Sequence, residues 1–259
     1  WAAGDATSRA VRLADLTLRG EIGYPSVLTA PTWGFYDVSF KGNSFLFTRA
    51  YESYVMENIL FKISFPAEFH SQTAAEAAVR LHPQVKDRLT DIDKSIIHTH
   101  ESAIRIISKV GPLNNPADRD HCLQYMTAVP LAFGNLVAEN YEDSFHSANP
   151  IIDELRAKME IHESKTYTKE YLEPKKRSIA NALQVYFKNG DCTEKIEIEY
   201  PVGHRRRREE GIPLLEAKFQ ANLATRFPAN RSEEIYALCK DQQKLEETPV
   251  NEFMELLVI

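Results

Sequence analysis

Three stretches of this chain carry side chains suited to moving a proton or holding an anion. In the first, Asn115-Pro116-Ala117-Asp118-Arg119-Asp120-His121-Cys122-Leu123-Gln124-Tyr125-Met126, Asn115 has the character of a helix N-cap. Pro116 follows at N1, where its missing N–H costs nothing, and Asp118 at N3 faces the positive end of the macrodipole. At helical spacing Asp118, His121 and Tyr125 share one stripe, beside an apolar stripe of Cys122, Met126 and Val129. An acid, an imidazole and a phenol near free backbone N–H groups suit proton transfer on an anionic substrate. The same spacing equally suits a capped amphipathic helix whose His and Tyr are boundary residues.

The second stretch is Phe61-Lys62-Ile63-Ser64-Phe65-Pro66-Ala67-Glu68-Phe69-His70. A lysine in an apolar run either snorkels to solvent along its stem or meets an anion, because a buried unpaired charge is costly. His70, after the Pro66 turn and just before a helical pattern, either neighbours the helix cap or faces a cleft. The third stretch, His204-Arg205-Arg206-Arg207-Arg208, sets four consecutive arginines against an acidic chain. A guanidinium fork pairs with carboxylates through two hydrogen bonds at once, so a multi-carboxylate partner fits; Glu209 and Glu210 follow and neutralise half the run. Aromatics do not interleave the arginines, which argues against nucleic-acid binding. His98 and His100 have metal-like spacing on one strand face, but no carboxylate or cysteine completes the set, so no metal is expected.

The elements that must position these groups follow from periodicity. With 259 residues, 43% of them hydrophobic and 26% charged, the chain has a globular composition large enough for two domains. A net charge of −6 disfavours broad binding to nucleic acid or a membrane surface. No apolar run reaches the roughly 18 residues a bilayer crossing needs. Cys122, Cys192 and Cys239 are odd in number and far apart, which fits a reducing compartment and offers no zinc or iron–sulfur cluster. The chain opens at Trp1 without a methionine and runs at once into helical periodicity, so we expect it to be a portion of a longer polypeptide.

Residues 5–19 have helical spacing, and residues 23–50, rich in glycine, proline and aromatics, read as loop with short helical pieces. Residues 55–65 look like a strand, 71–81 a helix, 92–108 a strand with an irregular middle, 115–133 one helix closed by Gly134, and 150–159 another helix. Strands over 179–187 and 195–200 flank an Asn-Gly hairpin turn, and helices are expected over 213–227, 231–244 and 249–257. This order gives an α+β fold: residues 1–54 as part of a helical domain, an α/β unit over 55–202, and helices of 203–259 returning to the first.

Five runs take the reading further. Gly4-Asp5-Ala6-Thr7-Ser8-Arg9, the Phe61–His70 run, Ala117–Tyr125, Lys176-Arg177-Ser178-Ile179-Ala180-Asn181-Ala182 and Gly203–Arg208 closely resemble the family that holds 2-methylcitrate dehydratases, cis-aconitate decarboxylase and iminodisuccinate epimerase, the dehydratases most of all. The resemblance covers essentially all 259 residues and corresponds to about the C-terminal half of a family protein. It implies an all-helical domain, only partly present here, with an inserted α/β lid and the active site between them. It also implies cofactor-free dehydration of 2-methylcitrate to 2-methyl-cis-aconitate in propionate breakdown, by a homodimer acting on a small tricarboxylate.

Lys62 matches the family's lid lysine, and His121 and Tyr125 match its His-x-x-x-Tyr helix. The chain departs from the decarboxylase pattern by carrying Glu68 after Phe-Pro-Ala, with its histidine two residues later as His70. Elimination next to a carboxylate needs a base, cations that spread the growing charge, and a proton donor for the departing hydroxide. The expected roles are carboxylate clamping by Lys62 with Arg119, Arg205 or Arg206, and proton transfer by Tyr125, His121 or His70. The family's remaining proton-transfer residues fall before Trp1. Neither cofactor, metal, nucleic acid nor membrane is expected as a partner, whereas the missing N-terminal half of the polypeptide is. The compartment is the mitochondrial matrix for a fungal source, which we favour, and the cytoplasm for a bacterial one. The rival readings are a decarboxylase or epimerase on the same fold, or a non-catalytic half that binds an anion or a partner chain.

Overall fold

The computed structural model of the chain describes residues 2–47, 50 and 54–259; Trp1, on which the expectation of a longer polypeptide was placed, lies outside them. The chain separates into two compact units, 1–53 and 54–259. In the first, α1 (Ala2–Leu18) is rich in alanine and ends at Gly20, whose φ of 96° suits only glycine. A short helix α2 (Phe35–Phe40) closes onto an aromatic group of Phe35, Phe40 and Phe45. Gly34 starts it because a Cβ there would stand 2.4 Å from the Ala30 carbonyl oxygen. Neither helix buries a residue, and Leu18 and Trp33 stay more than 80% exposed.

The second unit begins with α3 (Tyr54–Asn58) and an irregular extended segment, then α4 (Gln72–Val85). The strand expected over 55–65 is therefore absent. Ile63, Phe65 and Ala67 do alternate inward, but the segment's one backbone–backbone tie to a distant part of the chain, among the described residues, is the Phe61 N–H to Gly203 carbonyl bond, and it pairs with no strand. Strand β1 (Ile92–Thr99) gives way at once to α5 (Glu101–Ile107), so the expected irregular strand is a strand followed by a helix. His100 is the cause: its ring Nδ1 accepts from the Ala103 N–H and caps the helix. His98 and His100 thus share no strand face, and His98 lies beside His162 instead.

The expected single helix over 115–133 is two: α6 (Pro116–Arg119) and α7 (Leu123–Phe133). Asn115 caps α6 as expected, its side chain accepting from the Asp118 N–H at 2.9 Å. The break comes at Cys122, which is extended (φ −122°, ψ 108°). Periodicity cannot see it, because Arg119 is pulled inward by the Tyr141 carbonyl, far along the chain. The stripe of Asp118, His121 and Tyr125 is consequently broken: Tyr125 is fully buried, whereas the His121 side chain is 52% exposed. Helix α7 is apolar all round, with Leu123, Met126 and Leu131 at 0% exposure, and forms the centre of the unit. Each such side chain stabilises by about 1.5–3 kcal/mol relative to exposure.

After α8 (Asp143–Ala148) and α9 (Ile151–Ala157), periodicity had no signal for either β2 (Met159–Glu163) or α10 (Lys165–Leu172), both short and amphipathic. Strands β3 (Asn181–Phe187) and β4 (Ile196–Ile198) flank the Asn-Gly turn as expected, with Gly190 at φ 91°. The sheet order is β2-β1-β3-β4, with β1 parallel to β2 and antiparallel to β3, and β3 antiparallel to β4. Fully buried Ala74, Ala75, Ala77 and Ala78 let α4 lie close to both the sheet and α7. The chain finishes with α11 (Arg208–Ala224), α12 (Ala229–Lys240), α13 (Gln242–Glu247) and α14 (Val250–Leu256), which bury little beyond Gly211, Leu223, Ile235 and Leu238. The fold is α+β, dominated by helix with one small mixed sheet. Among the described residues no helix is long and apolar enough to cross a membrane.

Candidate active site

Two groups of functional side chains hang from the extended segment that precedes α4. Its outer end carries cations. Gly203 (φ 107°) is pressed so closely on Phe61 that a Cβ would sit 2.0 Å from the Phe61 carbonyl oxygen, and this contact ties the arginine loop to the lysine segment. Lys62 is exposed, with Nζ 5.1 Å from the Phe69 ring centroid and no carboxylate partner among the described residues. Lys218 stands beside it, donating to the Lys62 carbonyl at 2.6 Å; burial and then the Lys62 charge hold Lys218 below the usual lysine range.

The arginines divide. Arg207 is internal, held by Glu76 at 2.7 Å and Glu210 at 2.7 Å; burial opposes its charge, but these bonds more than compensate and raise its pKa. Arg205 donates to Asn58 at 3.0 Å, while Arg206 donates to the Lys175 and Lys176 carbonyls and lies 4.9 Å from the Tyr200 ring. His204 caps the run through the Arg206 N–H, and burial, then the adjacent arginine charges, bring its pKa down to about 4. Arg205 and His204 line a cleft of about 280 Å³ with Arg177. Arg177 has a left-handed backbone (φ 47°) and an exposed guanidinium without a side-chain partner among the described residues. A non-glycine residue held there is a recognised sign of function.

The inner end carries the proton-transfer groups. Residues Phe69–Ser71 make one 3-10 turn, capped by Glu68. Glu68 accepts from the His70 backbone N–H at 2.8 Å and from His70 Nδ1 at 2.8 Å, and His70 Nε2 lies 3.1 Å from the Tyr171 hydroxyl. Burial pulls the Glu68 pKa up, but the hydrogen bond and charge of His70 prevail and hold it low. The charge of His121 adds a smaller contribution in the same direction; the His121 ring itself bonds Asp120 at 2.6 Å. His100 lies flat on the Tyr171 ring, centroids 4.5 Å apart and planes at 8°.

Two expected site residues go elsewhere. Arg119 is 1% exposed and spends its guanidinium on the Tyr141 carbonyl (2.7 Å), Asp143 and the edge of His146. Tyr125 donates to the Asn140 carbonyl at 2.6 Å, and burial, partly opposed by Arg119, raises its phenol to about 12. Both side chains lie in the packing around α7. Glu68, His100, Tyr171 and Arg177 were not expected as site residues. Glu68 appeared only as a departure from a motif, His100 as half of a weak metal pair, and Tyr171 lies on a helix without sequence signal. Among the described residues no three His, Cys, Asp or Glu side chains are grouped to hold a metal ion.

Residues 1–48 match the MmgE/PrpD N-terminal domain and residues 65–242 the MmgE/PrpD C-terminal domain. The 2-methylcitrate dehydratase of Escherichia coli (strain K12) is 57% identical over 262 residues, covering 100% of this chain and 54% of the relative. That of Cupriavidus necator is 56% identical over the same shares. The mitochondrial 2-methylcitrate dehydratase of Yarrowia lipolytica is 53% identical over 100% of this chain and 50% of the relative. The chain spans about half the length of the curated relatives it matches.

Proposed function

Because the chain belongs to the MmgE/PrpD family, we propose that it forms part of a 2-methylcitrate dehydratase, removing water from 2-methylcitrate to give 2-methyl-cis-aconitate. The observation that carries this is identity of 56–57% to bacterial 2-methylcitrate dehydratases along the whole chain. The cationic end suits a tricarboxylate. Lys62 and Lys218, with Arg205 and Arg177 nearby, offer unneutralised positive charge that takes up carboxylates and spreads the charge that grows when the adjacent C–H proton leaves. Arg206, spent on two carbonyls, positions the loop rather than the substrate.

The inner end suits the departing hydroxide. His70, gripped by Glu68, supplies the proton, with His121 as its neighbour. The base that removes the C–H proton belongs to the rest of the polypeptide. Residues 2–47, with their apolar side chains exposed, support the view that this unit completes a helical domain with that remainder. In this reading residues 55–202 are the lid and 203–259 return to the helical domain. The reaction is a cofactor-free acid–base elimination by a homodimer. The mitochondrial relative of Yarrowia lipolytica supports a mitochondrial setting for a fungal source; a bacterial source places the protein in the cytoplasm.

The test is product NMR with the full-length polypeptide that carries this chain, offered 2-methylcitrate, cis-aconitate and iminodisuccinate. Dehydration of 2-methylcitrate alone is expected, and the 259-residue chain assayed by itself is expected to be inactive. Decarboxylation or epimerisation as the main activity overturns the assignment, and full activity of the isolated chain overturns the need for the remainder.

A further inference from the structure

The inner end of the site holds more than a lone imidazole. An ionised Glu68 only accepts hydrogen bonds, so the proton between it and His70 sits on Nδ1. The other nitrogen, Nε2, meets the Tyr171 hydroxyl at 3.1 Å, across 101 positions of sequence. When His70 is neutral, Tyr171 donates to Nε2; when it is an imidazolium, Nε2–H donates to the Tyr171 oxygen and frees the phenol proton for another acceptor. His70 is fixed from behind as well, since Asn181 Nδ2 donates to its carbonyl at 2.7 Å and to Thr73 Oγ1 at 2.7 Å.

From this geometry we infer that Tyr171 is a catalytic residue, the hydroxyl through which His70 passes its proton to the departing group, and that Glu68 and His100 are positioning residues for the pair. The inference rests on the dehydration proposed above. The step balances as follows. The C–O bond breaks with its electron pair going to oxygen, which takes the Tyr171 proton and leaves as water. Tyr171 takes the proton from His70 Nε2, and His70 is left neutral. The C–H electron pair becomes the new C=C bond, and the base of the other half of the polypeptide keeps that proton.

The surroundings favour such a donor. Glu68, from the same loop, stabilises the imidazolium directly. His100, from the start of α5, bears on the pair without adding charge. Burial, then the His70 charge, lowers its pKa to about 4, so it is neutral near pH 7. Its Nδ1 accepts from Ala103, which puts the proton on Nε2, a buried atom with no partner among the described residues. The ring therefore acts as a flat wall that sets the plane of the phenol and leaves a spare donor beside it. His121, from the turn between α6 and α7, bonds Asp120 and acts on Glu68 by its charge alone.

The experiment uses the full-length polypeptide, with 2-methylcitrate and with the analogue carrying fluorine in place of the departing hydroxyl, because fluoride leaves without a proton. Tyr171→Phe is expected to lower kcat on 2-methylcitrate about 100-fold with KM nearly unchanged, and to lower kcat on the fluoro analogue by less than about threefold. Glu68→Gln is expected to lower kcat on 2-methylcitrate with KM nearly unchanged, since the His70 ring loses the carboxylate that accepts from Nδ1–H, and Glu68→Asp is expected to recover part of the loss. An unchanged kcat in Tyr171→Phe, or equal losses on the two substrates, overturns the inference. If the wild-type polypeptide fails to dehydrate 2-methylcitrate, the functional assignment has failed on its own. The pair is then judged by the nitrogen-15 shifts of labelled histidines: a shift of His70 Nε2 in Tyr171→Phe supports the hydrogen bond, and none overturns it.

Discussion

The two ends of the extended segment before α4 are built on opposite lines. Around His70 each functional polar group but one is committed: Glu68 to both the backbone and ring of His70, Tyr171 to Nε2, His100 to the Ala103 N–H. Around Lys62 the charges are less committed: among the described residues Lys62 has no carboxylate, and Arg177 lies exposed beside a cleft. Groups that move protons need fixed distances and a chosen tautomer, which neighbouring hydrogen bonds supply. Groups that bind a polyanion need unneutralised charge, which a pre-existing carboxylate would cancel. A division of labour follows, with proton transfer at the inner end, substrate affinity at the Arg177 cleft of the outer end, and Lys62 between them serving both.

The largest expected effect comes from breaking the inner end. In the full-length polypeptide His70→Asn should lower kcat by about 100-fold or more, with KM changed little, because general acid catalysis contributes on that order. Lys62→Met sits at the junction, touching Phe69 on one side and the cations on the other; its kcat/KM should fall about 100-fold through loss of charge stabilisation.

Arg177→Gly sharpens the contrast, since it separates binding from strain. Relief of the left-handed backbone should raise stability by about 1 kcal/mol, seen as a higher Tm, while KM for 2-methylcitrate rises about tenfold. Arg119→Met is the converse. Left unmet, the Tyr141 carbonyl and Asp143 should cost about 1–3 kcal/mol in denaturant melts, with kcat/KM of the folded enzyme unchanged. A rise in KM there would return Arg119 to the binding set.

The smallest effect is a pH slope. His100 and His204, with folded pKa values about 4 against an ordinary imidazole's 6.5, bind fewer protons folded than unfolded. Their contribution to stability is fully present above about pH 6.5 and is lost as the pH falls towards 4. His204→Asn, which keeps a capping acceptor for the Arg206 N–H, should make the fall in Tm over that window shallower.

Much of this was legible in the residues. The Asn115 cap, the Asn-Gly turn and the alanine-rich α4 obey local rules, and Lys62 and His70 stood out as polar groups in an apolar setting. What stayed hidden is long-range. The break at Cys122 follows from Arg119 reaching the Tyr141 carbonyl more than twenty positions away, and it separates Tyr125 from His121. Tyr171 sits on a helix of eight residues, too short and too polar for periodicity to register, and it meets His70 only through the packing of α10. Arg177 looked like one basic residue among several, and its left-handed backbone beside the cleft is seen only in the folded chain.

The division of labour is tested most directly by measuring kcat and KM for 2-methylcitrate on His70→Asn and Arg177→Ala in the full-length polypeptide. The expected result is a kcat about 100-fold lower with near-native KM in the first, and a KM about tenfold higher with near-native kcat in the second. A His70 variant altered in KM alone, or an Arg177 variant altered in kcat alone, would contradict it.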